Sequence, residues 1–342
     1  MIAIRTDGDS TVGLGHVRRC LALAAELAPS SEVRFFLKGS EAVAALIRRE
    51  GFQCHVVPGD WEPTLAAAGV PGAKALVVDS YEVSAGQLEA VRRRDGFLVV
   101  LDDAGRYPLP ADLVSNPAPG VSAPVGGDGA RYLLGPRFAL LGREFVGPVE
   151  REIGESVRRL LLILGGATPA ALMGALAGVA RQALPGTAID LVVGPAGAGP
   201  SAVAAALSGL DGVTLHPAPE SVRPLMLAAD LAITGGGFTL FELAATGTPA
   251  VGVELAPNQR ANLGGMARGG TLVVAGKADE AGLAEAVGRA LRTLALDVER
   301  RRAMSGRGLE MVDGQGAARV AEAIQTRLQE RGSVPERLPC SG

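Results

Sequence analysis

Short apolar segments alternate with amphipathic segments along almost the whole chain. The apolar segments have the length of buried strands, and the segments between them carry apolar residues at helical spacing. This alternation is typical of a parallel β-sheet with helices packed on it. The sequence therefore predicts an α/β fold, in which ligands bind beyond the carboxyl ends of the strands. The predicted strands are residues 2–6, 33–37, 54–57, 75–78, 97–101, 160–164, 188–193, 213–216, 231–234, 250–253 and 271–274.

The strand and helix pattern is interrupted once, near the middle of the chain. Residues 116–129 are rich in proline and glycine, residues 134–143 have the character of turns, and the pattern restarts after residues 147–154. The chain has 342 residues, enough for two domains with complete cores. The predicted units are a first Rossmann-like domain over 1–148, a second over 149–330 and a disordered tail over 331–342.

The composition argues against several classes of function. A formal net charge of -3 and few basic runs make nucleic acid an improbable partner. No apolar run reaches the roughly 18 residues of a membrane span, and the first residues form a predicted strand rather than a signal peptide. The three cysteines and three histidines lack the spacing of a disulfide framework or of a metal site. We therefore expect a cytoplasmic protein without a membrane span, either a monomer or a weak homodimer.

The segment 231–262 is the strongest candidate for a ligand site. A predicted buried strand is followed by three glycines, Gly235, Gly236 and Gly237, and then by a helix that begins near Phe238 and Thr239. Glycines remove Cβ atoms and allow a ligand to approach the backbone closely. The amino end of the helix carries about half a positive elementary charge and free N–H groups, which suits a phosphate. A tight turn without a ligand explains the glycines equally well.

Three polar side chains near this turn favour the ligand. Glu242 lies one turn into the predicted helix, where a carboxylate can accept hydrogen bonds from both hydroxyls of a ribose. Asn258 and Gln259 follow the next predicted strand. Together with the glycines, these residues predict a site for a nucleoside diphosphate.

A second glycine-bearing loop follows the first predicted strand and places a histidine at the start of a helix. Gly13 and Gly15 flank the loop, and His16 opens the helix. The positive helix end favours the neutral imidazole, which is the form that a general base requires. The alternative is a histidine that only packs or caps, but we expect the glycines to leave its face open to the cleft. His55 and His216 lie in or at the end of strands and are predicted to be structural.

Further polar residues follow other predicted strands. Asp79 and Tyr81 come after the fourth strand, and Asp102 and Asp103 come after the fifth. Neighbouring acids at a strand end can bind Mg²⁺ or orient a base, and they can equally cap a helix or pair with an arginine. Gly165 and Gly166 follow the 160–164 strand and either approach a phosphate or form a tight turn.

Several of these segments together resemble the UDP-sugar hydrolase of pseudaminic acid biosynthesis and its spore-coat polysaccharide relatives. That family is in turn similar to the GT-B glycosyltransferases, particularly the N-acetylglucosaminyl transferase of peptidoglycan synthesis. The family's Asp-His-Tyr is Asp79-Ser80-Tyr81 here, and its Ser-Thr-Trp-Glu pattern is replaced within 235–242. The segments that carry the resemblance are residues 13–24, 78–81, 101–103, 134–145, 164–166, 247–249 and 258–259.

The resemblance implies a GT-B-like fold, with two Rossmann-like domains facing across a cleft and UDP held mainly by the second. It implies that the substrate is a UDP-sugar and that His16 activates water for attack on the anomeric carbon, with inversion. It implies that Tyr81 lies near the reacting centre and that the reaction uses no metal or other cofactor.

Three hypotheses about function follow. The leading one is inverting hydrolysis of a UDP-linked amino- or deoxy-sugar, with His16 as the base. The alternative is a GT-B glycosyltransferase, in which an acceptor hydroxyl replaces water. The third is a protein that binds a nucleotide sugar without catalysis and tolerates the loss of His16.

Overall fold

The structure is a computed structural model that describes residues 1–9, 13–57, 72–92, 96–103, 105, 108–125, 129–165, 168–194 and 198–332. Gly166, which the sequence suggests as a phosphate contact, lies outside the described residues, as do residues 333–342 of the predicted tail.

The first domain is built on a parallel sheet in the order β3-β2-β1-β4-β5-β6-β7. Apolar side chains pack on both faces of this sheet, which explains why its central strands are almost completely buried. Three helices in the described part of this domain are α1 (Gly15–Leu27), α2 (Glu41–Arg49) and α3 (Ala85–Arg92). The strands are β1 (Ile2–Gly8), β2 (Val33–Gly39), β3 (Gln53–Val56), β4 (Ala75–Asp79), β5 (Phe97–Leu101), β6 (Leu113–Asn116) and β7 (Arg131–Leu134).

Two of these strands, β6 and β7, were not predicted from the sequence. Both have four residues, and β6 ends in the polar residues Ser115 and Asn116 although all four of its residues are buried. A polar pair interrupts the apolar run that identifies a buried strand. The sheet therefore extends into a region that the sequence assigned to turns.

The second domain is built on a parallel sheet in the order β10-β9-β8-β11-β12-β13. Its strands also have apolar cores on both faces. The strands are β8 (Arg159–Ile163), β9 (Ala188–Val193), β10 (Val213–Pro217), β11 (Leu231–Gly235), β12 (Ala250–Glu254) and β13 (Leu272–Lys277). The helices between them are α4 (Ala170–Ala183), α5 (Pro200–Ala206), α6 (Arg223–Ala228), α7 (Thr239–Ala245) and α8 (Arg260–Arg268).

The strand order reverses at one point in each sheet. In the first sheet the reversal lies between β1 and β4, and in the second it lies between β8 and β11. At such a point the loops after neighbouring strands turn to opposite faces and leave a crevice for a ligand. The loops after β1 and β4, and those after β8 and β11, therefore carry the candidate site.

Three helices complete the chain, and the last of them returns to the first domain. They are α9 (Leu283–Leu296), α10 (Val298–Met311) and α11 (Gly316–Gly332). Val320 and Ile324 of α11 are fully buried in the core that also contains α1. The predicted division places this helix in the second domain, because an amphipathic pattern does not reveal which core a helix joins. The helix also includes residues 331 and 332, which the sequence assigned to the tail.

The chain passes between the domains twice, first through residues 139–154 and again through residues 314–316. These two passages lie side by side. A Cβ atom at Gly314 would clash with the carbonyl oxygen of Phe145, and one at Gly316 would clash with that of Ala139. Gly314 also has a φ of +76°, in the left-handed region. Both positions therefore require glycine for the passages to touch.

Two arginines, the half-buried Arg151 and the buried Arg301, fasten the first passage to the second domain. Arg151 donates hydrogen bonds to the carbonyl oxygens of Met226 and Ala229 and to Oγ1 of Thr248. Arg301, fully buried, donates to the carbonyl oxygen of Gly154 at 2.6 Å. Burial lowers the pKa of Arg151 to about 10, so its guanidinium stays charged at neutral pH. These bonds satisfy backbone carbonyls that would otherwise be buried without a partner.

We predict that two glycines of α4 respond oppositely to substitution. A Cβ at Gly174 would lie 2.6 Å from the carbonyl oxygen of Ala206, whereas one at Gly178 meets nothing within 4 Å. Gly174→Ala should cost about 1–3 kcal/mol of unfolding free energy through overpacking. Gly178→Ala, the matched control, should gain up to about 1 kcal/mol, because alanine favours the helix. Urea denaturation followed by circular dichroism measures both, and equal stabilities would contradict the packing described.

Candidate active site

A cavity of about 880 Å³ lies between the two domains, beyond the carboxyl ends of the strands. Both domains contribute to its walls, which include the loop after β1 and the turn between β11 and α7. Among the residues proposed from the sequence, the cavity is lined by Gly13, Gly15, Tyr81, Gly165, Gly237, Phe238, Thr239, Glu242, Asn258 and Gln259. The structure therefore brings together residues that are more than 240 positions apart in the chain.

The three glycines after β11 have different roles. A Cβ at Gly235 would lie 2.6 Å from the carbonyl oxygen of Leu164, and one at Gly236 would lie 2.6 Å from Cβ of Gln259. At Gly237 a Cβ would meet nothing within 4 Å. The expectation that all three open the turn to a ligand is therefore wrong, because Gly235 and Gly236 are needed for protein packing. Only Gly237 leaves open space beside the cavity.

Gln259 holds the turn in place. Its Oε1 accepts hydrogen bonds from the backbone N–H of Gly236 at 2.8 Å and from that of Leu255 at 3.1 Å. Gly236, which was expected to bind the ligand, has its N–H occupied in this way and does not line the cavity. Gln259 thus joins the end of β12 to the glycine turn, and this sets the position of the α7 helix end.

Glu242 carries the carboxylate at the centre of the cavity wall formed by the second domain. Its side chain is half-buried, and burial raises the pKa of the carboxyl group above its ordinary value. Arg18 of the first domain acts across the cleft to lower this pKa, whereas Glu144 raises it further. A hydrogen bond from Thr239 also favours the charged form.

One end of the cavity is apolar. It is formed by Val192, Val222 and Pro219 together with Ala218, whose φ of +41° is the only positive value of a non-glycine residue in the described ranges. The N–H of Ala218 donates to the carbonyl oxygen of Val193 at 2.8 Å. These four residues give this part of the cavity an uncharged lining.

His16 lies beside the cavity and is almost completely buried. Its Nδ1 is 2.6 Å from Oδ1 of Asp79, and 4% of the residue is exposed. The ring of Tyr81 packs edge-on against the imidazole, with 4.6 Å between the ring centroids. The expectation that the glycines leave the histidine open to the cleft is therefore wrong, since Tyr81 covers it. When Nδ1 donates to Asp79, Nε2 carries the lone pair that can accept a proton.

Arg19 completes a buried charged cluster with His16 and Asp79. Its Nε donates to Oδ2 of Asp79 at 2.6 Å, and its Nη1 donates to Oδ2 of Asp103 at 2.6 Å. Burial alone would raise the pKa of Asp79, but Arg19 and His16 outweigh burial and hold it well below its ordinary value. Arg19 likewise lowers the pKa of Asp103 against the effect of burial. Asp103 thus pairs with an arginine, which is one of the four roles considered from the sequence.

Within the described ranges, no group of three or more histidine, cysteine, aspartate or glutamate side chains is placed to hold a metal ion. The carboxylates of Asp79 and Asp103 share the Arg19 guanidinium instead.

Tyr81 joins the two domains at the site. Burial, followed by the charge of Asp103, raises the pKa of its phenol well above the ordinary value, so the hydroxyl is protonated at neutral pH. The hydroxyl also has hydrogen bonds with Asp103 and with Asn258 of the second domain. Tyr81 therefore links the cluster around His16 to the loop after β12.

Sequence reasoning missed the contributions of Arg18 and Arg19. Arg19 lies three residues after His16, a spacing that places both side chains on one face of α1. Gly15 and Arg18 have the same spacing, and both line the cavity. The helical period of α1 is the signal that could have separated a buried arginine from one in the cavity.

The other two histidines lie elsewhere. Nε2 of His216 is 2.7 Å from Oδ1 of Asp190, and His55 stacks on Phe36 with 5.6 Å between the ring centroids. Neither histidine lines the cavity.

Comparison with known proteins identifies the fold. No protein-family model matches the chain. An uncharacterized protein of Methanocaldococcus jannaschii is 26% identical over 275 residues, which are 73% of this chain and 54% of that protein. The chain thus spans about half the length of this curated relative.

Solved structures resemble the chain over nearly its whole length. MurG of Acinetobacter baumannii has a TM-score of 0.67 at 16% identity and covers 95% of this chain and 99% of its own. UGT2 of Phytolacca americana, complexed with UDP-2-fluoro-glucose and pterostilbene, has a TM-score of 0.66 at 13% identity, with 96% and 99% covered. The calicheamicin glycosyltransferase CalG4 has a TM-score of 0.62 at 18% identity, with 98% and 99% covered. The chain has the GT-B fold. The expected architecture of two Rossmann-like domains across a cleft is confirmed.

The helices were also compared with the length and hydropathy of membrane spans. Among the described residues, no helix is both long enough and apolar enough to cross a bilayer.

We predict that Asp79→Asn strongly destabilises the first domain. The substitution leaves the buried Arg19 guanidinium short of a counter-charge, which typically costs about 3–5 kcal/mol. Because the pKa of Asp79 lies well below its ordinary value, the stabilisation should persist in mild acid and disappear only in strong acid. Thermal and urea denaturation measure the loss. Glu41→Gln, which removes the exposed partner of Arg48, is the control and should change stability little.

Proposed function

We propose that the protein transfers the glycosyl group of a nucleoside-diphosphate sugar to an oxygen nucleophile, with inversion at the anomeric carbon. The observation that carries this proposal is the position of His16 next to two residues that line the cavity, Gly15 and Tyr81, with its imidazole oriented by Asp79. The opposite wall presents Gly237 and Glu242, the features expected to bind a nucleoside diphosphate.

The second domain is the proposed site of the donor. Its apolar end, near Val192 and Ala218, suits a nucleobase, and Glu242 suits the ribose hydroxyls. The open turn at Gly237 is the place where the diphosphate can approach the backbone. UGT2 has the same fold and is complexed with UDP-2-fluoro-glucose, which supports UDP as the first nucleotide to test.

His16 is the proposed general base. Asp79 holds the imidazole through Nδ1, and Nε2 removes the proton from the nucleophile as the new bond to the anomeric carbon forms. The bond from the anomeric carbon to the diphosphate oxygen breaks, and its electron pair leaves with the nucleotide. Asp79 then stabilises the imidazolium, in the role that a buried carboxylate has beside other catalytic histidines.

The nucleophile is proposed to be the hydroxyl of an acceptor. The similar structures include glycosyltransferases, which supports the transferase over the hydrolase that was expected first. Hydrolysis is the second candidate and has its own observation. His16 is 4% exposed beneath Tyr81, so a nucleophile as small as water reaches it most easily.

The experiment that tests the function is an incubation of the protein with a panel of nucleotide sugars, with and without alcohol acceptors. Release of nucleoside diphosphate only with an acceptor would establish the transferase. Release without an acceptor, together with free sugar, would establish the hydrolase. Binding without any turnover would contradict both and leave a nucleotide-sugar binding protein.

We predict that His16→Asn lowers kcat by roughly 10²–10⁴-fold, the usual contribution of a general base. Asparagine keeps much of the shape and polarity of the imidazole but cannot accept the proton. The affinity for UDP should change little, because His16 is proposed to act on the nucleophile and not to contact the nucleotide. His216→Asn is the control, since that histidine belongs to β10 of the second domain and pairs with Asp190. Near wild-type turnover by His16→Asn would make His16 structural.

We predict that Glu242→Ala weakens UDP binding by roughly 10- to 100-fold, because hydrogen bonds to a charged group are lost. Burial raises the pKa of Glu242, so protonation begins closer to neutral pH than for an ordinary glutamate. UDP affinity should therefore decline as the pH falls through this raised pKa, and Glu242→Gln should remove that dependence. Isothermal titration calorimetry at several pH values measures both effects, and unchanged affinity would remove Glu242 from the ribose site.

A further inference from the structure

The described residues that line the cavity include more anionic than cationic side chains, which does not favour an anionic ligand. Among its described lining residues, Arg18 is the one cationic side chain, and Glu242 and Asp279 are both anionic. A nucleoside diphosphate adds further negative charge, and burying unpaired charge is costly. Among the described lining residues, Arg18 is therefore the available counter-charge.

Arg18 and its neighbour Arg19 have different environments. Both arginines follow His16 on α1, but Arg19 is 5% exposed and is bound to Asp79 and Asp103. Arg18 is exposed and lines the cavity. Within the described part of the chain, its guanidinium makes no hydrogen bond and no ion pair closer than 4 Å. A guanidinium that projects into a cavity without such partners retains its donors for a ligand.

The charge of Arg18 acts on a residue of the other domain. Arg18 belongs to the first domain, yet it acts on the carboxyl group of Glu242 in the second. Arg18, Glu242 and the open turn at Gly237 all line the same cavity. A donor whose ribose is bound by Glu242 and whose diphosphate is at that turn would therefore lie in the cavity that Arg18 also lines.

We propose that Arg18 binds the diphosphate of the donor and neutralises the charge that develops on it as the sugar leaves. This inference rests on the proposed function and adds to it a residue of the first domain that contacts the leaving group. In the reaction, the electron pair of the broken bond moves onto the phosphate oxygen, and the proton of the nucleophile moves to Nε2 of His16. Arg18 and His16 are two residues apart on one helix, so one rigid element carries both the base and the charge that stabilises the leaving group.

The proposal predicts a phosphate-specific loss of affinity. Arg18→Ala should weaken UDP binding by about 10- to 100-fold, as expected for loss of a charge-assisted bidentate contact. Binding of uridine should change less than twofold, because uridine has no phosphate. The salt dependence of UDP affinity should also become shallower in this variant. Arg18→Lys keeps the positive charge but loses the bidentate guanidinium, so its affinity for UDP should lie between those of the wild type and Arg18→Ala.

Catalysis gives a second readout. If Arg18 stabilises the leaving group, Arg18→Ala should lower kcat as well as raise KM, since the charge on the phosphate grows in the transition state. Arg143→Ala is the matched control, because Arg143 is exposed, pairs with Glu26 and lies outside the cavity lining. Arg18→Ala should keep the melting temperature of the wild type, because the side chain is exposed.

A double-mutant cycle separates a direct role from one through Glu242. If Arg18 acts only by keeping Glu242 ionised, Arg18→Ala should have no effect in a Glu242→Gln background. A direct contact retains most of its effect there.

The outcomes distinguish the two proposals. Failure of the wild-type protein to bind UDP or any other nucleoside diphosphate would overturn the proposed function, and the inference with it. Binding by the wild type with equal affinities in Arg18→Ala would overturn the inference alone. The same holds if uridine and UDP lose affinity equally.

Discussion

The buried carboxylate of Asp79 is the group on which the site depends. A charge removed from water at the end of β4 is stable only with close partners, and both partners, His16 and Arg19, come from α1. Arg19 then extends to Asp103 after β5. One carboxylate thus fixes the orientation of α1 against two strands, and the same contact orients the imidazole. The stability of the first domain and the proposed catalysis depend on the same bonds, so changes to the cluster are expected to affect both.

The site also requires that the two domains are held together with the same faces opposed across the cleft. Arg151 and Arg301 fasten the first passage to the second domain, while α11 packs beside α1 in the first. Tyr81 has a hydrogen bond with Asn258 across the cleft. The proposed base and the proposed donor site therefore belong to different cores, and the cleft between them is where the proposed substrate could be held from both sides.

The sequence predicted the fold where burial dominates. The strand β5 is fully buried, and its sequence is a continuous apolar run. The prediction missed β6, whose Ser115 and Asn116 are buried but polar. The local sequence pattern also singled out His16 and Glu242 as candidate site residues, since glycine turns and helix starts are local features. The cover that Tyr81 places over His16, and the packing reason for Gly235, depend on residues distant in sequence. No single segment carries that information.

The paired passages at Gly314 and Gly316 constrain how the domains can move. A molecule joined by one strand can swing in any direction, but two strands in contact restrain both sliding and separation. We expect the remaining motion to be a hinge rotation of one domain about an axis through the contact between the two passages. Such a rotation changes the width of the cleft far from the axis and leaves the base opposite the same wall. The glycines thus make closure of the cleft a motion along one coordinate.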